Sequence, residues 1–219
     1  MASKKPKLTL TLPDYQRMHS VIASVLNSVE ANTPKACLFF AVAGAFLIET
    51  IHKRPARPVV GAAFYRINQA TGFTMAYGRL EVENGMDVVS SDDEAFHCWI
   101  ECDGMVIDLM APLFHESVRS AGRTESVARK MFQRSTVAMS QSPYELDRDG
   151  DFFLQPDPPL GMRLLNGFLS KLANSDLVKV CEYWYKPLPK AMPATIQMGS
   201  DDGSIRNIRL EPVSLVGAW

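Results

Sequence analysis

The chain has 219 residues, with 23 Lys and Arg against 24 Asp and Glu, so its formal net charge of −1 gives no electrostatic reason to expect nucleic acid or anionic lipid as partner. Hydrophobic residues make up 47%, which excludes a disordered chain and is enough to bury a full core. Four cysteines are too few for a disulfide scaffold, and Cys98 and Cys102, on one strand, would stand roughly 13 Å apart.

Reduced thiols in a cytoplasmic protein are therefore expected. The basic start from Met1 to Lys7 is not followed by a signal-peptide core. The most apolar run, Ala36 to Ile51, is short for a membrane span and contains Gly44. The expected partner is a small-molecule or peptide substrate, with no nucleic acid and no membrane.

After an extended arm, Pro13 sits where a first helical residue belongs, with Thr11 and Leu12 before it. Tyr15, Met18, Ile22, Val25 and Val29 then recur at steps of three and four, leaving Arg17, Ser20, Ser24 and Asn27 off the stripe. This predicts an amphipathic helix ended by Glu30-Ala31-Asn32. Thr33 is a candidate N-cap and Pro34 a first helical residue, which places Cys37 in the first turn of a second helix. That helix is apolar on nearly every side, so it must be buried around its circumference. His52 lies near its negative-dipole end, and Lys53 to Pro55 stop it.

Val59–Ile67 and Phe73–Val82 read as strands, the second with Gly78 as a candidate bulge. Asn84-Gly85 and Ser90 to Asp93 are turn signals around a short strand, Met86–Val89. Ser117–Arg134 predicts one or two helices, with Thr124 as a cap. Tyr144–Pro159, rich in Asp and Pro, predicts a long surface loop that would serve as a lid or a connection. Leu160–Leu172 predicts a helix weakened by Gly167, and Asp176 caps another that Pro187 and Pro189 end. Ala194–Met198 and Ile205–Leu210 predict a terminal hairpin. No repeat and no second domain boundary appear. The expected organisation is a single α+β domain over 1–219, with a core at about 13–112 and an elaboration at about 113–219.

The informative stretch is Phe96 to Met110. Asp103-Gly104 between two apolar runs predicts a two-residue type I′ hairpin, because that turn needs positive φ at both positions. Paired positions then sum to 207. Alternation puts His97, Trp99, Glu101, Val106, Asp108 and Met110 on one face, and Phe96, Cys98, Ile100, Cys102, Ile107 and Leu109 on the other. His97 and Asp108 become diagonal neighbours at about 7–8 Å or less, within side-chain reach. The plain alternative for this face is a partly solvated surface; Trp99, costly to leave in water, argues against it.

Cys37 is the second component. A lone cysteine in an apolar helix is usually a small buried hydrophobe. Its place in a first turn instead favours a thiolate, which an imidazolium would stabilise further, with a buried aspartate fixing the tautomer. Asn32 is a candidate second oxyanion donor beside the Cys37 amide.

These residues resemble a known superfamily. Transglutaminase-like and arylamine N-acetyltransferase-like proteins, within the papain-like cysteine fold, place a cysteine at the start of a buried helix. Their histidine and aspartate lie on successive later strands. Lys35 to Ala41 resembles that helix start, Ala95 to Glu101 the His-x-Trp-x-Glu strand, and Asp103 to Asp108 the aspartate strand. The whole chain is also similar to an uncharacterised bacterial domain-of-unknown-function family, number 2026, of that clan. The superfamily resemblance covers Asn32 to Pro112. It implies a buried N-terminal helix on a central antiparallel sheet, with extra C-terminal helices and a catalytic set of Cys37, His97 and Asp108; Asn32 and Trp99 are candidate supports from their positions in this sequence. Thr33-Pro34-Lys35 departs from the glycines that the acetyltransferases carry there, and no acetyl-CoA or calcium site is recognisable, so substrate and reaction are not carried over.

A zinc site from His97, Cys98 and Cys102 fails on strand parity, and no cofactor or metal is expected. No Gly-rich phosphate loop or Gly-x-Ser-x-Gly elbow is present. His19 and His115 read as ordinary. The sequence thus points to a thiol hydrolase or acyltransferase acting on an amide, ester or thioester. A non-catalytic binding module or structural protein keeping the fold is the alternative.

Overall fold

The computed structural model describes residues 8–32, 36–83, 86–186, 191–200 and 202–219. It is α+β: a curled antiparallel sheet with helices packed against it. In chain order the elements are α1 (Leu12–Ser28), α2 (Cys37–Leu47, continued by a π-helical turn Ile48–His52), β1 (Ala56–Asn68), β2 (Phe73–Tyr77), β3 (Arg79–Glu83) and β4 (Met86–Ser90). Then come β5 (His97–Cys102), β6 (Met105–Asp108), α3 (Phe114–Ser120), β7 (Phe132–Ser135), β8 (Phe152–Pro156), α4 (Pro158–Leu169), α5 (Leu172–Tyr185), β9 (Thr195–Gly199) and β10 (Ile205–Arg209).

The first helix starts as its sequence dictates. Thr11 is the N-cap, its hydroxyl accepts the Asp14 amide at 3.2 Å, and Pro13 lies in the first turn. Of the expected stripe Tyr15, Met18, Ile22 and Val25 are buried and Val29, the C-cap, is half-buried, but Ser20 and Ser24 are buried as well. The C-terminal segment covers that face: the Glu211 amide donates to Ser24 Oγ and the Val213 amide to Ser20 Oγ, at 2.9 and 3.3 Å. The N-terminal arm is also tied down. The Gln133 side-chain oxygen accepts the Thr9 and Leu10 amides, and its Nε2 donates to Leu10 O.

The sheet runs β2-β1-β5-β6-β7, with β8 also on β1; β3–β4 and β9–β10 are separate two-stranded ribbons. Its organiser is β1, whose 13 residues pair with β5 over 56–61, with β8 over 61–65 and with β2 over 63–68. Gly61 is the crossing point. A Cβ there would stand 2.1 Å from Gln155 O and 2.8 Å from Pro156 Cα, so only glycine lets β8 approach.

Several expectations are corrected. Residues 73–82 are two strands broken at Gly78 that belong to different sheets. The helix expected over 117–134 stops at Ser120, and Phe132–Ser135 instead adds to the free edge of β6. The i, i+4 spacing of Val127 and Met131 is met by burial along an irregular segment. Inside the supposed loop 144–159, Phe152–Pro156 pairs with β1, and Leu146 is buried against Ala62 and Phe64. That stretch is a sheet strand and its approach, not a lid. Asp176 lies inside α5, which starts at Leu172. The terminal hairpin is present as β9–β10. The signals at Thr33, Pro34, Asn84-Gly85, Pro187 and Pro189 fall outside the described residues.

Candidate active site

The hairpin has the expected register. Ile100 pairs with Ile107, Glu101 with Val106 and Cys102 with Met105, and Asp103 and Gly104 have φ of 48° and 72°. His97 and Asp108 therefore share a face, and His97 Nε2 donates to Asp108 Oδ2 at 2.8 Å. Both side chains are 1% exposed.

The plain alternative, a partly solvated face, does not hold, since His97, Trp99, Val106 and Asp108 are all buried. The physical reason is closure by aromatic side chains that the hairpin alone does not supply. On β1, Gly61 pairs with His97 and Ala63 with Tyr77, so the end of β2 abuts the start of β5. The Tyr77 and His97 rings stack, with centroids 4.4 Å apart and planes at 18°. Tyr65 meets the imidazole edge-on at 5.9 Å, and Phe114 at the start of α3 closes behind it at 6.5 Å. Residues beyond 113 are thus part of the wall of this site.

Asp108 is held at every oxygen. Oδ1 accepts the Met110 amide at 2.9 Å, Oδ2 takes His97, and the main-chain oxygen accepts the hydroxyl of Tyr15 from α1. The Tyr65 hydroxyl is close enough to feel the same carboxylate but makes no hydrogen bond of standard geometry. Burial, and after it the Asp108 charge, pushes the Tyr15 and Tyr65 phenols well above their ordinary range. These tyrosines were legible only as core residues; nothing in their spacing marks them as neighbours of a histidine.

Cys37 is the first residue of α2, 7% exposed, with Ala36 as N-cap and no side-chain cap. The amides of this first turn lack intrahelical acceptors, and the dipole there favours negative charge on sulfur. The helix is seated on the hairpin through Gly44, where a Cβ would meet the tips of Leu109 and Ile100 at 2.3 and 2.6 Å. The thiol lies close enough to the His97 ring to act on its protonation. With Nε2 committed to Asp108, Nδ1 is the nitrogen left for Cys37, and it carries no hydrogen bond of standard geometry.

Trp99 is buried, and its indole N–H has no acceptor among the described residues. Asn32 is exposed and lines a cleft beside α1, where no hydrogen bond to Cys37 is found among the described residues. Cys98, Cys102 and Cys181 are free, buried thiols of the scaffold. Among the described residues no three His, Cys, Asp or Glu side chains are grouped to hold a metal ion. Among the same residues no helix is long and apolar enough to cross a membrane.

The two buried histidines titrate in opposite directions. For His97, burial lowers the pKa, but the Asp108 charge and hydrogen bond, with Cys37, outweigh it and raise it to about 10. His19 is lowered to about 4, chiefly by burial, although its Nδ1–H donates to Leu109 O at 2.8 Å. The raised His97 contributes stability that is fully present below about pH 6.5 and lost as pH rises through about 10. The depressed His19 works the other way: below about pH 6.5 the unfolded chain takes up a proton that the folded one refuses until about pH 4. A ring-nitrogen NMR titration should therefore show His97 protonated and His19 neutral at pH 7. A His97 ring that deprotonates near pH 6.5 would refute the pairing.

One solved structure, described as "The crystal structure of genomics APC5867", is similar over 99% of this chain and 100% of its own, with a TM-score of 0.85 and 31% identity. No curated protein matches the chain. A family profile described as "Protein of unknown function (DUF2026)" matches residues 11–219, and the chain belongs to that family.

Proposed function

We propose that the protein is a cysteine-nucleophile hydrolase or acyltransferase of the papain-like, transglutaminase-like kind, acting on an amide, ester or thioester. The observation that carries this reading is the buried His97–Asp108 bond of 2.8 Å, which leaves Nδ1 for a thiol at the first position of a helix. In this reading His97 Nδ1 has taken the Cys37 proton before substrate arrives, and the Cys37 thiolate bonds to the carbonyl carbon as the π electrons move onto its oxygen. The carbon–leaving-group bond then breaks and the leaving group departs with that proton. Water or a second nucleophile attacks the thioester and releases Cys37. Asp108 holds the imidazole by Nε2 and stabilises the imidazolium. First-turn amides of α2 are the main-chain oxyanion donors, and Trp99 is the supporting side chain.

The burial of the pair favours a second reading, a structural role for Cys37 and His97, and one experiment separates the two. Iodoacetamide alkylation of Cys37, followed by peptide mass spectrometry from about pH 5 to 9, is expected to proceed already at the acid end of that range. In His97→Ala that low-pH reactivity should vanish. Alkylation that is absent, or indifferent to His97, sinks the enzyme reading.

A further inference from the structure

Beside α1 lies a cleft of about 720 Å³ that none of Cys37, His97 and Asp108 lines. Its volume falls in the range of small-molecule sites. Ala23 and Leu113 line it, and the C-terminal segment supplies Glu211 and Val213.

His19 also lines the cleft and is only 2% exposed. A carbonyl can only accept, so the 2.8 Å contact with Leu109 O fixes the ring proton on Nδ1. Nε2 is then a lone pair, and no described residue offers it a donor. It is not among the fully enclosed unpartnered atoms, so it opens on the cleft that the ring lines. Facing the cleft, this lone pair accepts an N–H or O–H from whatever occupies it, water or ligand.

The charged groups indicate which donor. Arg129 is already engaged: it forms a two-pronged pair with Glu116 and donates to Pro112 O at 2.8 Å. That cation and that carboxylate cancel. Glu211, exposed on the rim, takes a single hydrogen bond from Asn27 and faces no cation among the described residues lining the cleft other than the paired Arg129. Among the described lining residues, Glu116 and Glu211 against Arg129 leave one surplus negative charge.

We infer that this cleft binds a small organic cation, an ammonium group on a short apolar body. Its N–H donor meets His19 Nε2, its charge is offset by Glu211, and its apolar part lies against Ala23, Leu113 and Val213. His19 stays neutral above about pH 4, so it keeps its lone pair for a cation. The site does not depend on any reactivity of Cys37.

The test is a titration of the full chain with benzylamine, watched through the His19 ring nitrogens and the Val213 methyls by NMR. Benzoate and benzyl alcohol are the comparison ligands. Saturable shifts at both residues with benzylamine, weakened about threefold to fivefold in Glu211→Gln, are expected from the loss of one partly exposed charge pair. Glu211 is on the rim, so the variant keeps the fold, which an unchanged amide spectrum elsewhere will verify. The inference fails if benzylamine shifts neither residue saturably or if Glu211→Gln binds it equally well. It fails too if benzoate or benzyl alcohol binds here more tightly: the first would make Arg129 the ligand-bearing group, and the second would make the charge irrelevant.

Discussion

Replacing Asp108 with alanine is expected to destabilise the fold by about 3–5 kcal/mol in urea denaturation at pH 7. The carboxylate is 1% exposed and satisfies both His97 Nε2 and the Met110 amide, so its removal leaves a buried imidazole and a buried N–H without acceptors. A loss below about 1 kcal/mol would mean that water replaces the carboxylate and that the site is wetter than its burial implies. Asp108→Asn separates stability from chemistry. Its carbonyl keeps the Met110 amide, while its NH₂ donates to Nε2 and drives the ring proton onto Nδ1. Nδ1 then cannot receive the thiol proton. Turnover of an activated thioester is expected to drop about 10⁴-fold with the fold intact, the scale seen when a triad histidine is held in the wrong tautomer. Equal turnover by Asp108→Asn and wild type would remove His97 from the role of base.

The second large effect lies away from any polar group. Gly61→Ala places a methyl 2.1 Å from a backbone oxygen of β8, at the position paired with His97. Backbone cannot step aside as a side-chain tip can, so a cost of about 3 kcal/mol is expected. Displacement of β5 should also slow alkylation of Cys37. Gly44→Ala makes the informative contrast. Its close neighbours are the ends of Leu109 and Ile100, and the substitution gains about 1 kcal/mol of helix propensity, so its net cost should be nearer 1 kcal/mol. The comparison is of denaturation midpoints. If Gly44→Ala proves the more damaging, the seat of α2 is more rigid than the β1–β8 crossing, and the expected order of the two glycines is reversed.

Legibility followed the range of the interactions. The hairpin register could be read because Asp103-Gly104 fixes it through local backbone sterics, and register then fixes which faces His97 and Asp108 share. The start of α1 was likewise local, in Thr11 and Pro13. Strands β7 and β8 were missed because they exist through partners far away in the chain. Phe132–Ser135 is extended because β6 has a free edge, and Phe152–Pro156 because Gly61 admits it. Tertiary pairing overrode local propensity in both.

By itself the sequence determined a type I′ turn that puts an imidazole and a carboxylate on one strand face, and an apolar helix that carries a cysteine near its start. It could not determine whether that face met water. The tertiary structure decided this, through Tyr77 stacked on the ring, Tyr65 and Phe114 around it, and Tyr15 holding the Asp108 carbonyl. Alternation along a strand states only which side a residue takes. Burial depends on what the rest of the chain brings to that side, and here that burial sets the protonation of His97 against the pull of Asp108.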